Sequence, residues 1–426
     1  MTDSLVTKQP LGRNFTGLWT ATGLANLSDG LYLLALPLIA LQITHSPAQV
    51  AGVTVALTLA WPLFGFYAGL VVDRSDRRRL VVAVNLVRAL TLAGLTVSLL
   101  TGSATIVQVY LAAFVLGLAE TLVDTSLAAL VPQTVTRAAE LGRANARIEV
   151  AQNVTNQFVG PPLGGVLAIA GLAWVTGVGA ALYAAALAVL GLLKGQFRAE
   201  STPEPGPREA LRTQVTAGLR FIWRDRLLRN LTVITAAMNV FWAAWAAVLV
   251  VYLVAPGPGG LNTAGYGLLL TTMAIGGILG ASLLGPLRRR LSAYRLLVLD
   301  VIGTVLLVGT PAMTTNPFLI GAAMVVGGAG SAVWRVIVTQ IRQSVVPGAV
   351  LGRVYSASRV ISWGVLPVGA ALGGLVAELL GVRTVFAIGG VASASLLFVF
   401  ALTIRASDVD SALRAEPREE LAGTAA

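Results

Sequence analysis

Twelve apolar runs, each close to the length of a helix that crosses a bilayer, occupy most of this 426-residue chain. They fall at roughly 18–42, 49–72, 80–101, 106–131, 145–169, 173–193, 229–254, 264–286, 294–311, 317–340, 354–378 and 384–404. A membrane span needs about 20 predominantly apolar residues. In lipid, every backbone N–H and C=O must find its partner within the segment, so each run is expected to be an α-helix. The alternating pattern of outer-membrane barrel strands is absent. Composition agrees with an integral membrane protein. Only 12% of residues are charged, 56% are hydrophobic and the mean hydropathy is +0.80, whereas soluble domains carry about a quarter charged residues.

The basic residues are confined to alternate connections. Arg74, Arg77, Arg78 and Arg79 follow the second run, Arg137, Arg143 and Arg147 lie around the fourth-to-fifth connection, and Arg288, Arg289, Arg290 and Arg295 follow the eighth. The opposite connections hold essentially one, Arg383. Positive loops stay in the cytoplasm. Every cluster shares one side only if the span count is even and both termini are cytoplasmic. The net charge of +11 is therefore read as membrane topology, and no nucleic-acid partner is expected. The chain has no cysteine and one histidine, His45, which removes disulfides, thiol catalysis and Cys/His metal sites. The polar stretch Met1 to Arg13 lacks the apolar core of a cleaved signal peptide. A Gly-Lys-Ser/Thr phosphate loop is absent as well, which argues against direct coupling to ATP.

One long internal connection, 194–228, carries Pro203, Pro205 and Pro207 and divides the chain into a six-span half over 1–193 and another over 229–426, the latter with a tail. Leu211, Val215, Leu219 and Ile222 mark an amphipathic surface helix in its second part. The halves also repeat. Leu141-Gly142-Arg143 returns as Leu351-Gly352-Arg353, and Gly160-Pro161-Pro162-Leu163-Gly164-Gly165 returns as Gly369-Ala370-Ala371-Leu372-Gly373-Gly374.

The turn after the second run reads Gly69-Leu70-Val71-Val72-Asp73-Arg74-Ser75-Asp76-Arg77-Arg78-Arg79. It resembles the Gly-x-x-x-Asp-Arg-x-x-Arg-Arg pattern found between the second and third helices of major facilitator superfamily transporters. The fifth run, Asn156 to Gly165, resembles the Gly-x-x-x-Gly-Pro-x-x-Gly-Gly motif of that superfamily's drug–proton antiporters, with Asn156 in place of the first glycine. The whole is similar to the twelve-span drug-efflux branch that includes macrolide and siderophore exporters. The resemblance implies an all-α membrane protein with twelve helices in two pseudo-symmetric halves and a site near the bilayer midplane between them. It further implies a gate in which Gly69 allows close approach of backbones, Asp73 meets the start of the eleventh helix, and Arg77 pairs with Asp124. With Arg74 and Arg78 this would latch the outward-facing state, and Gly160, Pro161, Gly164 and Gly165 would flex and pack the fifth helix. The arginine often found in the fourth helix of proton-driven drug exporters is missing here.

Charges inside a membrane are costly and mark function. Asp29 lies mid-way along the first run with Asn26 one turn earlier on the same face. A carboxylate isolated at that depth is a candidate to load and release a proton. Its alternative is a structural carboxylate bonded to a neighbouring helix. Glu120 and Asp124 are one turn apart in the fourth run, close enough to disfavour double ionisation. Glu120 is read as the deeper cavity residue and Asp124 as a gate residue, with a salt bridge from Glu120 to Arg88 as the plainer possibility. Arg335 aligns with Glu120 across the repeat and is assigned to the cavity, with pairing across the halves as its alternative, while Arg359 reads as structural. Asn239, Trp245, Trp334 and Trp363 complete the expected cavity lining.

The expected function is export of bulky amphipathic compounds in exchange for protons, by alternating access. No cofactor is implied, because the proton gradient supplies the energy. The expected partners are a small-molecule substrate and the lipid bilayer of the bacterial inner membrane, with the protein acting as a monomer. Uptake or facilitated diffusion of a small metabolite is the second reading, and a transport-inactive receptor a third. An enzyme is not expected, since no nucleophile and base, or metal cluster, converge at one depth.

Overall fold

The computed structural model describes residues 11–135, 137–193, 197 and 211–414, all side chains in them excepted at Phe66, Leu70, Asp73, Ala138, 211–215 and Ala349. Among these residues there is no strand, only an isolated bridge between Val254 and Leu261. The first half comprises α1 (Arg13–Ile43), α2 (Pro47–Arg74), α3 (Arg77–Leu100), α4 (Ile106–Thr134), α5 (Leu141–Asn153), α6 (Gly160–Ala170) and α7 (Leu172–Gly191). After the surface helix α8 (Leu211–Arg224), the second comprises α9 (Arg226–Leu253), α10 (Thr263–Arg290), α11 (Ala293–Met313), α12 (Pro317–Val345), α13 (Gly348–Gly364), α14 (Leu366–Leu380) and α15 (Val382–Thr403). A short helix, α16 (Ala406–Arg414), closes the described chain.

Eleven segments are long and apolar enough to cross a membrane, with α13 and α14 together forming one of them. The fifth crossing is made by α5 and α6, joined by a π-helical turn over Val154–Val159. That makes twelve, as the sequence predicts.

Polar residues at the connections start the helices. Ser46, Asp76, Asp225, Asn262 and Ser292 each accept a hydrogen bond from the backbone N–H three residues on, and Thr105 forms a reciprocal capping box with Gln108. Gly171 and Gly381 turn the chain out of the fifth and eleventh crossings with φ of 128° and 87°, values that favour glycine.

The same pairings recur in both halves. α1 packs on α6 and α7 as α9 packs on α14 and α15, α2 on α4 as α10 on α12, and α3 on α7 as α11 on α15. The glycine repeats account for the closest approaches. A Cβ on Gly160 would stand 2.6 Å from the Cα of Gly30 on α1, and one on Gly373 would stand 2.7 Å from the Cα of Ala244 on α9. Gly164 lies against Leu34 of α1, and Gly369 against Val240 of α9. The third glycine of each repeat instead faces the other half. Gly165 meets Thr263 and Gly267 of α10, and Gly374 meets Ala48 and Ala51 of α2. Without side chains at these points the backbones come into van der Waals contact.

The inter-half contacts lie toward the membrane face opposite the arginine-rich connections. There Thr263 donates to the carbonyl of Gly165 at 3.2 Å. Glu378 of α14 accepts from the Ser46 hydroxyl at 2.6 Å and from the Ala48 N–H at 3.2 Å, capping α2 from across the interface. Toward the basic face the halves part, and among the described residues nothing lies within 4 Å of a Cβ built on Gly69 or Gly285. The structure is thus sealed on one face and divided on the other. Glu378→Ala is expected to loosen the seal, raising the maleimide labelling of a cysteine placed at Ala51 in this otherwise cysteine-free chain. Unchanged labelling would mean that the glycine contacts hold the face shut alone.

The surface helix α8 is fastened to α13. A Cβ on Gly218 would stand 2.7 Å from the Arg353 backbone and 3.0 Å from the Ala357 side chain.

Candidate functional site

Asp29 is not isolated. It is buried on α1, where it accepts a short hydrogen bond from the Tyr183 hydroxyl of α7 and lies 3.5 Å from Arg88 Nη1 of α3. The Arg88 guanidinium also lies 5.4 Å from the centre of the Tyr183 ring. One turn along α1, Tyr32 donates to Glu120 Oε2 of α4 at 3.3 Å. Four helices of one half therefore converge on two carboxylates, one guanidinium and two phenols. A buried ion pair of this kind costs desolvation that its partners must offset. Arg88 Nε and Nη2 have no hydrogen-bond partner among the described residues. Glu120 is only partly buried and forms the edge of the cluster, so the plainer expectation of a Glu120–Arg88 bridge is replaced by an Asp29–Arg88 pair. Asn26 turns back on its own helix, donating to Thr22 O at 3.0 Å.

Asp124 is exposed, one turn along α4 from Glu120 toward the basic face. The expected Arg77–Asp124 pair is not formed in this structure. Arg77 reaches the carbonyl of Ala129 at 3.3 Å instead, and the two halves stand apart at the face where a latch would close. The rest of that turn stays within its own half. Asp76 caps α3, Arg78 donates to the final carbonyls of α7 at Leu190 (3.0 Å) and Gly191 (2.7 Å), and Arg74 is exposed at the last turn of α2. The basic side chain on those carbonyls suits the negative end of a helix. The Asp73 side chain lies outside the described residues, and Gly69 approaches nothing among them.

Pro161 and Gly165 face α10, whereas Gly160 and Gly164 face α1. Pro161 and Pro162 cannot donate to the preceding turn, and the π-helical turn sits where those hydrogen bonds are lost. At the matching place in the other half, α13 ends at Gly364 and α14 begins at Leu366 with Pro367. There Asn239 of α9 donates to the Ser362 carbonyl at 2.6 Å. Interrupted helices at corresponding positions of two repeats point to a binding site at midplane depth.

Two expected cavity residues belong to the core instead. Trp245 is 3% exposed. Trp334 is 6% exposed, donates from its indole to Thr235 Oγ1 at 3.1 Å and packs against Phe400. It shares a face of α12 with Ile337, Val338 and Ile341, while its neighbour Arg335 is exposed. Trp363, by contrast, is 45% exposed and its ring lies 5.9 Å from that of Trp61 on α2. Arg359 stands over both rings, 3.9 Å from Trp61 and 5.3 Å from Trp363. Sequence reasoning missed Tyr32, Tyr183 and Trp61, and it treated Arg88 only as a partner for Glu120 and Arg359 as structural. An arginine in the middle of an apolar run was the available signal for both.

The model of the transmembrane secretion effector family matches residues 8–422. The chain belongs to that family, within the major facilitator superfamily. Among curated relatives, the enterobactin exporter EntS of Escherichia coli strain 536 is 27% identical over 342 residues, covering 80% of this chain and 79% of that protein. EntS of Citrobacter koseri gives the same identity and coverage. Among solved structures, a mutant of the nucleoside transporter NupG superposes with a TM-score of 0.77 at 14% identity, covering 92% of this chain and all of that one (100%). A bacterial homologue of the human lysosomal transporter Spinster, in an inward-facing and occupied conformation, gives a TM-score of 0.67 at 13% identity, over 94% of this chain and 96% of that one. These structural matches are matches of fold. The protein is a membrane transporter of this superfamily.

Proposed function

We propose that this family member is a proton-coupled antiporter of the bacterial inner membrane that exports bulky amphipathic compounds. The basic face is then cytoplasmic, and the conformation described is the inward-facing one. The observation that carries the reading is the buried cluster around Asp29. The cluster holds two carboxylates and one guanidinium, which leaves one negative charge that a proton can cancel. Glu120 stands at the cavity edge, where it can exchange that proton, and Tyr32 and Asp29 on one face of α1 connect it to Arg88. A change in proton occupancy would redistribute hydrogen bonds among α1, α3, α4 and α7, the helices on which the interface helices α2 and α6 pack. Alternating access is a rigid-body switch of this kind. Export, rather than uptake, is supported by the glycine–proline sequence of the fifth crossing and by the relative named as an exporter. The cavity walls supply gating at Asp124 and substrate contact at Trp363 and Arg335.

The test uses purified protein in liposomes with an imposed pH gradient and a trapped pH-sensitive dye. Enterobactin, the compound named for the relative, is the first candidate, followed by a panel of amphipathic drugs. A compound that dissipates the gradient with the intact protein is expected to fail with Asp29→Asn or Glu120→Gln. Labelled compound crossing with no proton movement would replace antiport with facilitated diffusion.

A further inference from the structure

We propose that Arg359, Trp61 and Trp363, with Arg335, form the substrate-recognition site of the cavity, and that its ligand is a planar aromatic anion. The site is assembled from both halves, Trp61 from α2 and the others from α12 and α13. It lies at the fork where the halves begin to separate. On the sealed side Gly364 is in contact with Pro62, a Cβ there standing 3.7 Å from the proline ring. On the divided side Gly69 touches nothing among the described residues. A ligand entering from the basic face meets this group at the end of its path.

Arg359 and Arg335 are both exposed, near the middle of membrane-spanning helices. A charge at that depth faces a water-filled cavity rather than lipid. Neither guanidinium makes a hydrogen bond or ion pair among the described residues, so the N–H fork of each is available to a ligand. The tilted indole rings, 5.9 Å between centroids at 45°, pack on each other with Arg359 over both, so that a ligand meets their edges and the outward side of the guanidinium. An arene fits against such rings by offset or edge contact. Guanidinium groups also stack on arenes and bind carboxylates through two parallel N–H bonds. An aromatic acid satisfies both properties at once.

The opposite wall has the opposite sign. Glu120 and Asp124 project from α4, so a cationic arene is the competing ligand. The structure favours the anion, because Glu120 already has a donor in Tyr32, whereas neither guanidinium has a hydrogen-bond partner among the described residues. Both indole rings, moreover, lie beside the Arg359 guanidinium. This substrate class extends the export reading and rests on the protein being a transporter, though its test requires neither transport nor a pH gradient.

The experiment is equilibrium binding of three probes to the purified protein in nanodiscs: 1-naphthoate, 1-naphthylmethylammonium and cyclohexanecarboxylate. The naphthoate is expected to bind about tenfold more tightly than either of the others, a difference of about 1.4 kcal/mol. Arg359→Lys keeps the charge but loses the planar fork, and is expected to weaken naphthoate about tenfold while leaving the thermal midpoint unchanged. Trp363→Leu is expected to weaken the naphthoate and leave cyclohexanecarboxylate unaffected, while Arg335→Gln weakens both anions. Equal or tighter binding of the ammonium probe, or naphthoate affinity unchanged in Arg359→Lys and Trp363→Leu, overturns the proposal. Binding retained in a protein that fails to move protons would leave this site standing and remove the coupling mechanism alone.

Discussion

Replacing Arg88 with methionine is expected to destabilise the detergent-solubilised protein by about 3–5 kcal/mol. The loss does not equal the strength of the ion pair. It reflects what remains: Asp29 buried among α1, α3 and α7 with Tyr183 as its donor and no cation. Removing both charges is therefore expected to recover most of the loss. In Asp29→Asn with Arg88→Met, the amide oxygen still accepts from Tyr183, and a buried pair replaced by neutral groups of similar volume is often neutral in stability. Thermal unfolding followed by intrinsic tryptophan fluorescence checks both statements. A double variant no more stable than Arg88→Met would mean that Arg88 acts through packing on the Tyr183 ring rather than through the Asp29 charge. The double variant also separates folding from transport, since a stable protein that moves no protons would assign the pair to coupling.

The second large effect is expected at the sealed face. With cysteines at Ala51 and Gly374, the two side chains begin on opposed backbones, where a Cβ on Gly374 would stand 2.6 Å from that of Ala51. A disulfide prefers about 3.5–4.5 Å between Cβ atoms, so α2 and α14 must separate by about 1 Å. The chain contains no native cysteine, and the bond is expected to form on mild oxidation without competition. The cross-linked protein is expected to bind substrate from the basic face yet transport nothing, with activity restored by dithiothreitol. Full transport in the cross-linked form would show that this contact is never broken, and that α6 against α10 opens alone.

The architecture was legible because its causes are local and repeated. Apolar runs of membrane length and arginines on alternate connections mark the twelve crossings. The paired glycine sequences, Gly160 to Gly165 and Gly369 to Gly374, mark the equivalent contacts in the two halves. Which face each residue presents is a different matter. Gly164 and Gly165 are neighbours in sequence, yet one contacts α1 and the other α10. Trp334 and Arg335 are neighbours, yet the tryptophan is buried and the arginine exposed. Helix rotation is set by packing between helices far apart in the chain, and a single sequence carries no record of it. The Asp29–Arg88–Tyr183 group was only half visible for the same reason. Each residue stood out inside an apolar run except Tyr183, but nothing in their spacing brings α1, α3 and α7 together. The state of the gate was invisible altogether. Arg77 and Asp124 were read as partners, and in a structure divided at that face Arg77 bonds a carbonyl of α4 instead.

The fastening of Gly218 to α13 has a consequence for how the chain tolerates change in length. α8 and α13 must travel as one body, because the glycine leaves no gap for a slipping backbone. Between Gly218 and the start of α9 at Arg226 the chain is nearly all helix, a stiff strut rather than a tether. An insertion between Gly218 and Arg226 would throw the strut out of phase and pull α13 away from α9, misplacing the arginine at the fork.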